Sequence, residues 1–268
     1  MTMNTNTNVN IAANRAPTMG TAIKNGDKRA AARLISMIEN EDEQAGRLLA
    51  ECCALKSQSS LKARIIGITG PPGAGKSTLT DQLAKHLLKQ HKRVGIIAVD
   101  PSSPISGGAF LGDRIRMSDL NVEPDIFIRS MATRGALGGI SKAVSGAIRV
   151  LEVFGMDTIF VETVGVGQSE VDIAAVADIV VLVTLPGTGD DIQAEKAGVI
   201  EIADLIVVNK ADHADTDRTI QYLKAMLSYN GKRMSEFPDI EVLSTIASQG
   251  KGIAELMEAI NRRYEHVK

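Results

Sequence analysis

The stretch Gly70-Pro71-Pro72-Gly73-Ala74-Gly75-Lys76-Ser77 spells G-x-x-x-x-G-K-S, and it decides the fold class. The run that precedes it is short, apolar and β-branched, which predicts a buried strand. After it, Leu79, Leu83 and Leu87 recur every four residues, which predicts a helix with one apolar face. A glycine-rich loop between a strand and a helix is the context in which this spelling binds phosphate. The sequence therefore predicts a nucleoside triphosphate site.

The residues of this loop have separate roles in holding phosphate. Glycines let backbone N–H groups converge on the phosphates, and the helix N-terminus adds partial positive charge. Lys76 is expected to reach the β- and γ-phosphates, and the Ser77 hydroxyl is expected to bind Mg²⁺. The predicted phosphate-binding residues are Gly73, Ala74, Gly75, Lys76, Ser77 and Thr78.

A second motif, Asn209-Lys210-Ala211-Asp212, follows another apolar run and predicts which base is bound. N-K-x-D after a strand is the guanine-reading motif of GTPases. The Asp212 carboxylate can accept two hydrogen bonds from the N1–H and N2–H₂ edge of guanine. Adenine lacks this pair of donors, so ATP would leave the carboxylate unpaired. Lys210 is expected to lie along the ring and Asn209 to tie this loop to the phosphate loop, so GTP is favoured over ATP.

Two carboxylates at strand ends are candidates for the magnesium environment. Asp100 ends the second predicted strand, where it could face Mg²⁺ directly or through water. The alternative, a capping Asp in a Pro/Ser/Gly-rich connecting loop, stays open. Glu162 ends a later apolar strand, at the position of the acidic residue behind Mg²⁺ in phosphate-loop NTPases.

The loops that follow are candidates for switches. Gly165 could give a backbone N–H to the γ-phosphate, so that its loop orders with GTP and relaxes with GDP. Gln168 either positions water or is merely solvated. After the fifth strand, Asp190 and Asp191 are either a helix N-cap with first-turn charge or part of a partner-sensing switch. From the residues alone, the cap is the favoured interpretation.

The chain is organised as an α/β fold with a helical leader. A 268-residue chain can hold one α/β domain with extra helices. We expect a disordered, Asn/Thr-rich tail at 1–19, a helical region at 20–60 with two apolar stripes that form an antiparallel pair, and a GTPase domain at 61–268. Apolar strands alternating with helical segments predict a mainly parallel central sheet flanked by helices. The strands are expected near residues 64–69, 94–99, 125–129, 158–162, 179–184, 205–209 and 241–243.

Composition argues against several other classes of protein. With a formal net charge of −2, the chain lacks the excess of positive charge that is typical of a nucleic-acid binder. With 3% aromatic residues and no Trp, it also lacks the side chains on which bases stack. No apolar run is long enough to span a bilayer, and the start lacks a secretory pattern. The two cysteines, Cys52 and Cys53, are adjacent and fit a reducing, cytoplasmic location. The four His are scattered, so a protein metal cage is not expected.

Together these motifs resemble the methylmalonyl-CoA mutase-associated GTPases, called MeaB in bacteria and ArgK in older usage. The resemblance runs from about residue 20 to the C-terminus, and ETVGVGQSE and VDPSSP are far more specific than a bare phosphate loop. It is carried by residues 25–40, 70–78 (GPPGAGKST), 99–117 (VDPSSPISGGAFLGDRIRM), 134–141 (RGALGGIS), 162–170 (ETVGVGQSE), 187–198 and 209–212 (NKAD).

The resemblance implies a GTPase that acts as a chaperone for an adenosylcobalamin-dependent acyl-CoA mutase of the methylmalonyl-CoA mutase type. It would gate loading of the intact cofactor and removal of the damaged one, and its turnover would be slow without the mutase. Asp100 and Glu162 would belong to the Mg²⁺ environment with Ser77, and Asp113 would be a switch carboxylate. The candidate catalytic residues are Lys76, Glu162 and Gln168.

The segment from Gly187 to about Lys196 resembles an additional switch of the family that answers to the mutase. On this resemblance, the partner-sensing interpretation of the acidic pair is favoured over the cap, although a residue there could do both. The residues assigned to this switch are Asp190, Asp191, Gln193 and Lys196.

Two departures from the family pattern bear on assembly and on the base site. Family members commonly continue into a C-terminal helical arm that forms a homodimer, whereas this sequence stops at Lys268 soon after the last core helix, so a homodimer stays open. The Ser-Ala that often contacts the guanine oxygen is Ile246-Ala247 here. The backbone N–H of Ala247 could still make that contact.

Other functions stay open beside the chaperone. Nothing in the sequence excludes a nucleotide-gated scaffold without significant hydrolysis. A kinase would need an acceptor pocket with a base near the γ-phosphate, and no separate acceptor domain is evident. A nickel-insertion GTPase would carry metal-binding Cys or His near the switches, which this core lacks. The sequence names neither the particular mutase nor an arginine finger.

Overall fold

The computed structural model describes residues 18–55, 62–100, 120, 123–132, 142–163, 169–187, 197–231 and 240–267. Its strands form one parallel sheet, and they are β1 (Arg64–Thr69), β2 (Val94–Asp100), β3 (Ile126–Ala132), β4 (Thr158–Thr163), β5 (Ile179–Thr184), β6 (Leu205–Val208) and β7 (Glu241–Ser244). The strand order is β3-β2-β4-β1-β5-β6-β7, and every neighbouring pair is parallel. The predicted α/β class is confirmed, and each expected strand is found within a few residues of its expected bounds.

The helices cover both faces of the sheet. They are α1 (Met19–Lys24), α2 (Lys28–Glu39), α3 (Ala45–Ala54), α4 (Lys76–Lys89), α5 (Lys142–Phe154), α6 (Ser169–Asp172), α7 (Ala197–Glu201), α8 (Thr216–Gly231) and α9 (Ile253–Val267), with 3₁₀ turns at Ile173–Ala175 and Ala247–Gln249. On α4, the apolar stripe of Leu79, Leu83 and Leu87 is fully buried, as its four-residue spacing predicts. None of the described helices is both long and apolar enough to cross a membrane.

Successive strand residues feed two separate cores. In β1, Ile65 packs into the core beneath α5, whereas Ile66 and Ile68 pack into the core formed with α4 and α9. Because both faces of the sheet are covered, the central strands read as continuous apolar runs instead of alternating ones. The parallel arrangement brings every carboxyl strand end to one edge, where the phosphate loop follows β1.

The helical leader is part of the core beneath α5. α2 and α3 are the two helices that the apolar stripes predicted, and Ile23, Leu34 and Cys52 of the leader share a cluster with sheet residues. α1 lies in the region expected to be helical, but it was not predicted as a separate helix, because six residues are too few to show a periodic pattern. The expected boundaries at 1–19, 20–60 and 61–268 stay predictions, and residues 1–17 lie outside the described part of the chain.

Aspartates close the amino edge of the sheet. Asp157, Asp178 and Asp204 each stand one residue before a strand, and each accepts a hydrogen bond from the backbone of an adjacent strand or its lead-in. The Asp178 Oδ2 accepts from the N–H of Ile65 at 2.8 Å, and the Asp204 Oδ2 accepts from the N–H of Val180 at 2.8 Å. These contacts fix strand register at the edge opposite the phosphate loop.

Candidate functional site

The phosphate loop depends on glycine at two positions. Gly70 has φ 137° and Gly75 has φ 87°, which is backbone space that side chains with a Cβ rarely occupy. A Cβ on Gly70 would lie 2.0 Å from the carbonyl oxygen of Val183, and a Cβ on Gly75 would lie 2.4 Å from the Asn209 amide nitrogen. The loop is therefore pressed against β5 on one side and against the loop after β6 on the other.

Lys76 is the first residue of α4, and its ammonium group is directed back into the loop. Its Nζ donates to the carbonyl oxygens of Gly70 at 2.8 Å and Pro71 at 2.9 Å, and the residue is only 6% exposed. A charge held at the centre of a glycine-rich turn, at a helix N-terminus, is positioned to meet phosphate oxygens. Of the other predicted phosphate-binding residues, Ala74 is buried, Gly75 and Ser77 are half-buried, and Gly73 and Thr78 are exposed.

Glu162 at the end of β4 receives two hydroxyl groups from α4. The Ser77 Oγ donates to its Oε1 at 2.6 Å, and the Thr80 Oγ1 lies 2.9 Å from its Oε2. The Thr80 hydroxyl is also 2.9 Å from the Lys76 carbonyl oxygen, so its single proton is shared between two acceptors. With Glu162 only 4% exposed, this cluster fixes the start of α4 to the end of β4.

Asp100 ends β2, the strand beside β4. It is 5% exposed, and in the strand register Val99 stands opposite Thr163, the residue after Glu162. Ser77, Asp100 and Glu162 therefore gather at one edge of the sheet, and their side chains offer only oxygen ligands. A hydroxyl that donates its proton to a carboxylate presents its lone pairs to a cation, so this donor set fits a hard cation such as Mg²⁺.

A pair of buried threonines links the two strands that frame the loop. Thr69 ends β1 directly before Gly70, and Thr163 ends β4 directly after Glu162. The Thr163 Oγ1 donates to the Thr69 Oγ1 at 3.0 Å, and both residues are 0% exposed. Sequence reasoning missed this pair and Thr80. A threonine that ends each strand is a faint signal, and Thr80 follows Lys76 by one helical turn.

Asn209 connects three loops at the opposite side of the site. Its Nδ2 donates to the carbonyl oxygen of Ala74 in the phosphate loop at 2.8 Å. Its Oδ1 accepts from the Thr245 hydroxyl at 3.0 Å and from the Ala247 N–H at 3.1 Å. Since Asn209 is 2% exposed, these bonds are protected from water and hold the loops after β6 and β7 to the phosphate loop.

The rest of the N-K-x-D motif lies at the surface. Lys210 has φ 57°, a left-handed conformation that is uncommon for a residue with a side chain, and it turns the chain sharply after Asn209. Lys210 and Asp212 are both exposed, as groups that meet a base from solvent must be. Their roles in reading guanine stay predictions.

Ala247 also contacts Asn209. Its backbone N–H, which could contact the guanine oxygen, donates to the Asn209 Oδ1 at 3.1 Å. The physical reason is that buried Asn209 needs donors for its Oδ1, and the turn after β7 brings this N–H within reach. The Ala247 N–H thus helps to fix the Asn209 side chain, and its contact with the guanine oxygen stays a prediction.

Several predicted residues lie outside the described part of the chain. They are Asp113, Gly165, Gln168, Asp190, Asp191, Gln193 and Lys196.

The fold and the two tied loops define a phosphate-loop GTPase. Within that class, the chain belongs to the methylmalonyl-CoA mutase-associated GTPase (MeaB) family, whose sequence pattern matches residues 31–268. The match covers the site and most of the helical leader, so the family resemblance seen in the motifs is confirmed.

Relatives and solved structures agree with this assignment. A Pyrococcus abyssi protein named as a GTPase is 51% identical over 247 residues, which cover 92% of this chain and 75% of that protein. The methylmalonic aciduria type A homolog of Mus musculus, named as mitochondrial, is 37% identical over 260 residues, covering 92% of this chain and 62% of the relative. The crystal structure of an LAO/AO transport system kinase matches 93% of this chain and 74% of its own, at 26% identity and a TM-score of 0.72.

Proposed function

We propose that this GTPase is a nucleotide-gated chaperone for an adenosylcobalamin-dependent acyl-CoA mutase of the methylmalonyl-CoA mutase type. The observation that carries the proposal is the family match over residues 31–268, a family named for its association with that mutase. The similarity to a methylmalonic aciduria type A homolog also supports the proposal. Cycling between GTP and GDP would time cofactor loading and the removal of damaged cofactor.

The residues of the phosphate loop support the nucleotide chemistry. When phosphate enters, the Lys76 ammonium exchanges its carbonyl partners, Gly70 and Pro71, for β- and γ-phosphate oxygens. Phosphoryl transfer is mainly positioning and charge neutralisation, which a buried ammonium and loop N–H groups supply. Exposed Asp212 and Lys210 receive the guanine, and Asn209 keeps their loop at a fixed distance from the phosphates.

The magnesium environment is part of the same proposal. Ser77, Asp100 and Glu162 would hold Mg²⁺, which when bound neutralises charge that develops on the phosphates. Glu162 orients the Ser77 hydroxyl by accepting its proton, and Thr80 steadies the second carboxylate oxygen. Glu162 thereby acts on the position of Ser77. Gln168 would position water, and Asp113 would be a switch carboxylate.

The gating part of the proposal assigns two loops to the partner. One loop follows Thr163 and contains Gly165, and the other contains Asp190 and Asp191. Low turnover by the GTPase alone would rise when the mutase stabilises a switch geometry that the lone protein rarely adopts.

The test is GTP hydrolysis by the purified protein with and without the cobalamin-dependent acyl-CoA mutase of the same organism. We expect a rise that requires both GTP and that mutase. Lys76→Ala is the control for the phosphate loop and should abolish turnover. Asp212→Asn should weaken the preference for GTP over ATP. Unchanged hydrolysis in the presence of the mutase, with GTP still bound, would contradict the chaperone and favour another partner or a scaffold role.

A kinase is the second candidate, because a solved structure that shares this fold is described as a transport system kinase. Phosphate transfer from γ-labelled GTP to an acceptor other than water would support it. Release of all label as inorganic phosphate would count against it.

A further inference from the structure

Helix α2 of the leader lies along β3, the edge strand of the sheet, and bonds to the residues that lead into β3 at one end and to β3 itself at the other. At the amino end, the Lys28 Nζ donates to the carbonyl oxygen of Glu123 at 3.0 Å. At the carboxyl end, the Glu39 carboxylate accepts from the Arg129 guanidinium through Oε2 and from the backbone N–H of Ala132, 3.4 Å from Oε1. The two elements therefore run in the same direction.

The dimensions of the two elements permit this double attachment. The 12-residue helix is about 18 Å long, and its partners Glu123 and Ala132 are separated by up to about 30 Å of chain. The long side chains of Lys28 and Glu39 extend the reach of the helix at its two ends. Ser36, one turn before Glu39, accepts a further hydrogen bond from the Arg129 Nη2 at 3.0 Å. The bond from Glu39 also gives the backbone N–H of Ala132, on this edge strand, an acceptor.

The carboxyl-end attachment reaches the level of the proposed magnesium site. In the register of the β2–β3 pair, Ala132 stands opposite Asp100. Glu39 thus holds the backbone of the residue beside Asp100, and its own side chain is only 11% exposed. On the other side of β2 lies β4, whose Glu162 accepts a hydrogen bond from Ser77 of α4. Asp100 therefore ends a strand whose two neighbours are both anchored at that level. The anchor of β4 is α4, and the anchor of β3 is Glu39 of the leader.

We propose that Glu39 is a positioning residue for the magnesium site, acting through Ala132 and the end of β3 on Asp100. The leader is then a working part of the nucleotide site as well as a cover for the sheet. This inference rests on the magnesium role proposed for Asp100. Residues that orient metal ligands commonly change metal affinity by about ten- to a hundredfold when removed.

The test is a Mg²⁺ titration of GTP hydrolysis at saturating GTP, made on the full chain. Glu39→Ala is expected to raise the Mg²⁺ concentration for half-maximal rate about tenfold, with a smaller change in GTP affinity measured in EDTA. Glu39→Gln keeps an acceptor for the Ala132 N–H but loses the charge that faces Arg129, so we expect an intermediate shift. If Glu39→Ala does not fold, the glutamine variant carries the test.

Two control variants separate positioning from general stability. Lys28→Met removes the attachment at the opposite end of the same helix, and it should lower the melting temperature without shifting the Mg²⁺ dependence. Glu51→Ala removes an exposed ion pair with Arg47 on α3 and should change neither. A Mg²⁺ dependence that is unchanged by Glu39→Ala, or that is shifted equally by Lys28→Met, would overturn the proposal.

Asp100→Asn tests whether Glu39 acts on the magnesium site through Asp100. We expect it to raise the Mg²⁺ requirement by itself, and Glu39→Ala should add little in its presence, since both changes act on one group. Full additivity, or no effect of Asp100→Asn, would exclude the route through Asp100. Stimulation by the mutase would be unaffected by that result, so the proposed function stands or falls separately.

Discussion

At the scale of single residues, Asn209 is the most connected side chain of the site. Its amide joins the phosphate loop to the loops after β6 and β7 through Ala74, Thr245 and Ala247. Removing it would leave a buried carbonyl, a hydroxyl and an N–H without their partner. Each unsatisfied buried group costs about 1–3 kcal/mol.

We therefore predict that Asn209→Ala lowers both the free energy of unfolding and the affinity for GTP. The unfolding free energy should fall by about 2 kcal/mol or more, measured by urea denaturation, and GTP affinity by at least about tenfold. Thr245→Val, which removes one of the donors to the same oxygen, should give a smaller loss of both. Equal effects of the two substitutions would show that the link to Ala74 contributes little.

The two adjacent cysteines, Cys52 and Cys53, have different environments. Burial raises the pKa of the Cys52 thiol to about 11, with a smaller contribution from Cys53, and Cys52 is 0% exposed. The thiolate is the reactive species, so Cys52 should be inert near neutral pH in the folded protein. Half-buried Cys53 is nearer to solvent.

We predict that iodoacetamide modifies Cys53 well before Cys52 in the native protein, and both at similar rates in urea. Mass spectrometry of the digested protein would assign the label. Preferential native labelling of Cys52 would contradict the burial of α3 against the sheet and α1.

At the scale of elements, the aspartates at the amino edge set the register of the strands. Asp178 accepts from the Ile65 N–H at the start of β1, and its Oδ1 accepts from Lys62 at 2.8 Å. The hydrogen bond that Lys62 donates to Asp178 raises the pKa of Lys62, and partial burial of the lysine opposes this rise. The contact with Lys62 is exposed and contributes little, whereas the contact with the Ile65 N–H is partly buried.

Asp178→Ala is expected to destabilise the protein by about 1–3 kcal/mol, because the Ile65 N–H loses its acceptor. GTP affinity of the folded protein should stay within about twofold, since this edge is opposite the phosphate loop. Denaturation and nucleotide binding measure the two effects. Lys62→Met is the control that removes only the exposed ion pair, and it should be close to neutral.

At the scale of the whole molecule, glycine allows the leader to approach the GTPase core closely. Gly146 lies in α5, and a Cβ there would be 2.9 Å from the Ile38 Cγ2 of α2. Gly46 lies in α3, and a Cβ there would have no atom within 4 Å. The buried Gly146 therefore has a neighbouring helix packed against it, whereas the exposed Gly46 near the start of α3 does not.

We predict opposite effects of substituting these two glycines. Gly146→Val should destabilise by about 1–3 kcal/mol, because α2 must move away from α5. Gly46→Ala should be neutral or stabilising by up to about 1 kcal/mol, because alanine has the higher helix propensity. Thermal melts of the two variants give the comparison. A neutral Gly146→Val would mean that the leader does not pack on α5 in solution.

Local patterns were sufficient to predict the strands and the two nucleotide motifs. A buried parallel strand is a short apolar run whatever lies beside it, and the phosphate loop needs glycines at its own positive-φ positions. Helix α1 falls in the region expected to be helical, but six residues give too little periodicity to predict it as a separate helix. The bond between the Ala247 N–H and Asn209 was not predicted, because the sequence does not show that these residues meet.

The fold class, the phosphate loop and the family are each encoded in contiguous residues, so they could be predicted from the sequence alone. Which distant residues meet depends on the tertiary structure. Asn209 and Ala74 are 135 positions apart, and Glu39 and Ala132 are 93 apart. Such pairs depend on strand order and helix placement, which are set by burying two apolar faces of one sheet at once. No local pattern carries that information, so the leader's contact with the strand beside Asp100 emerges only from the folded chain.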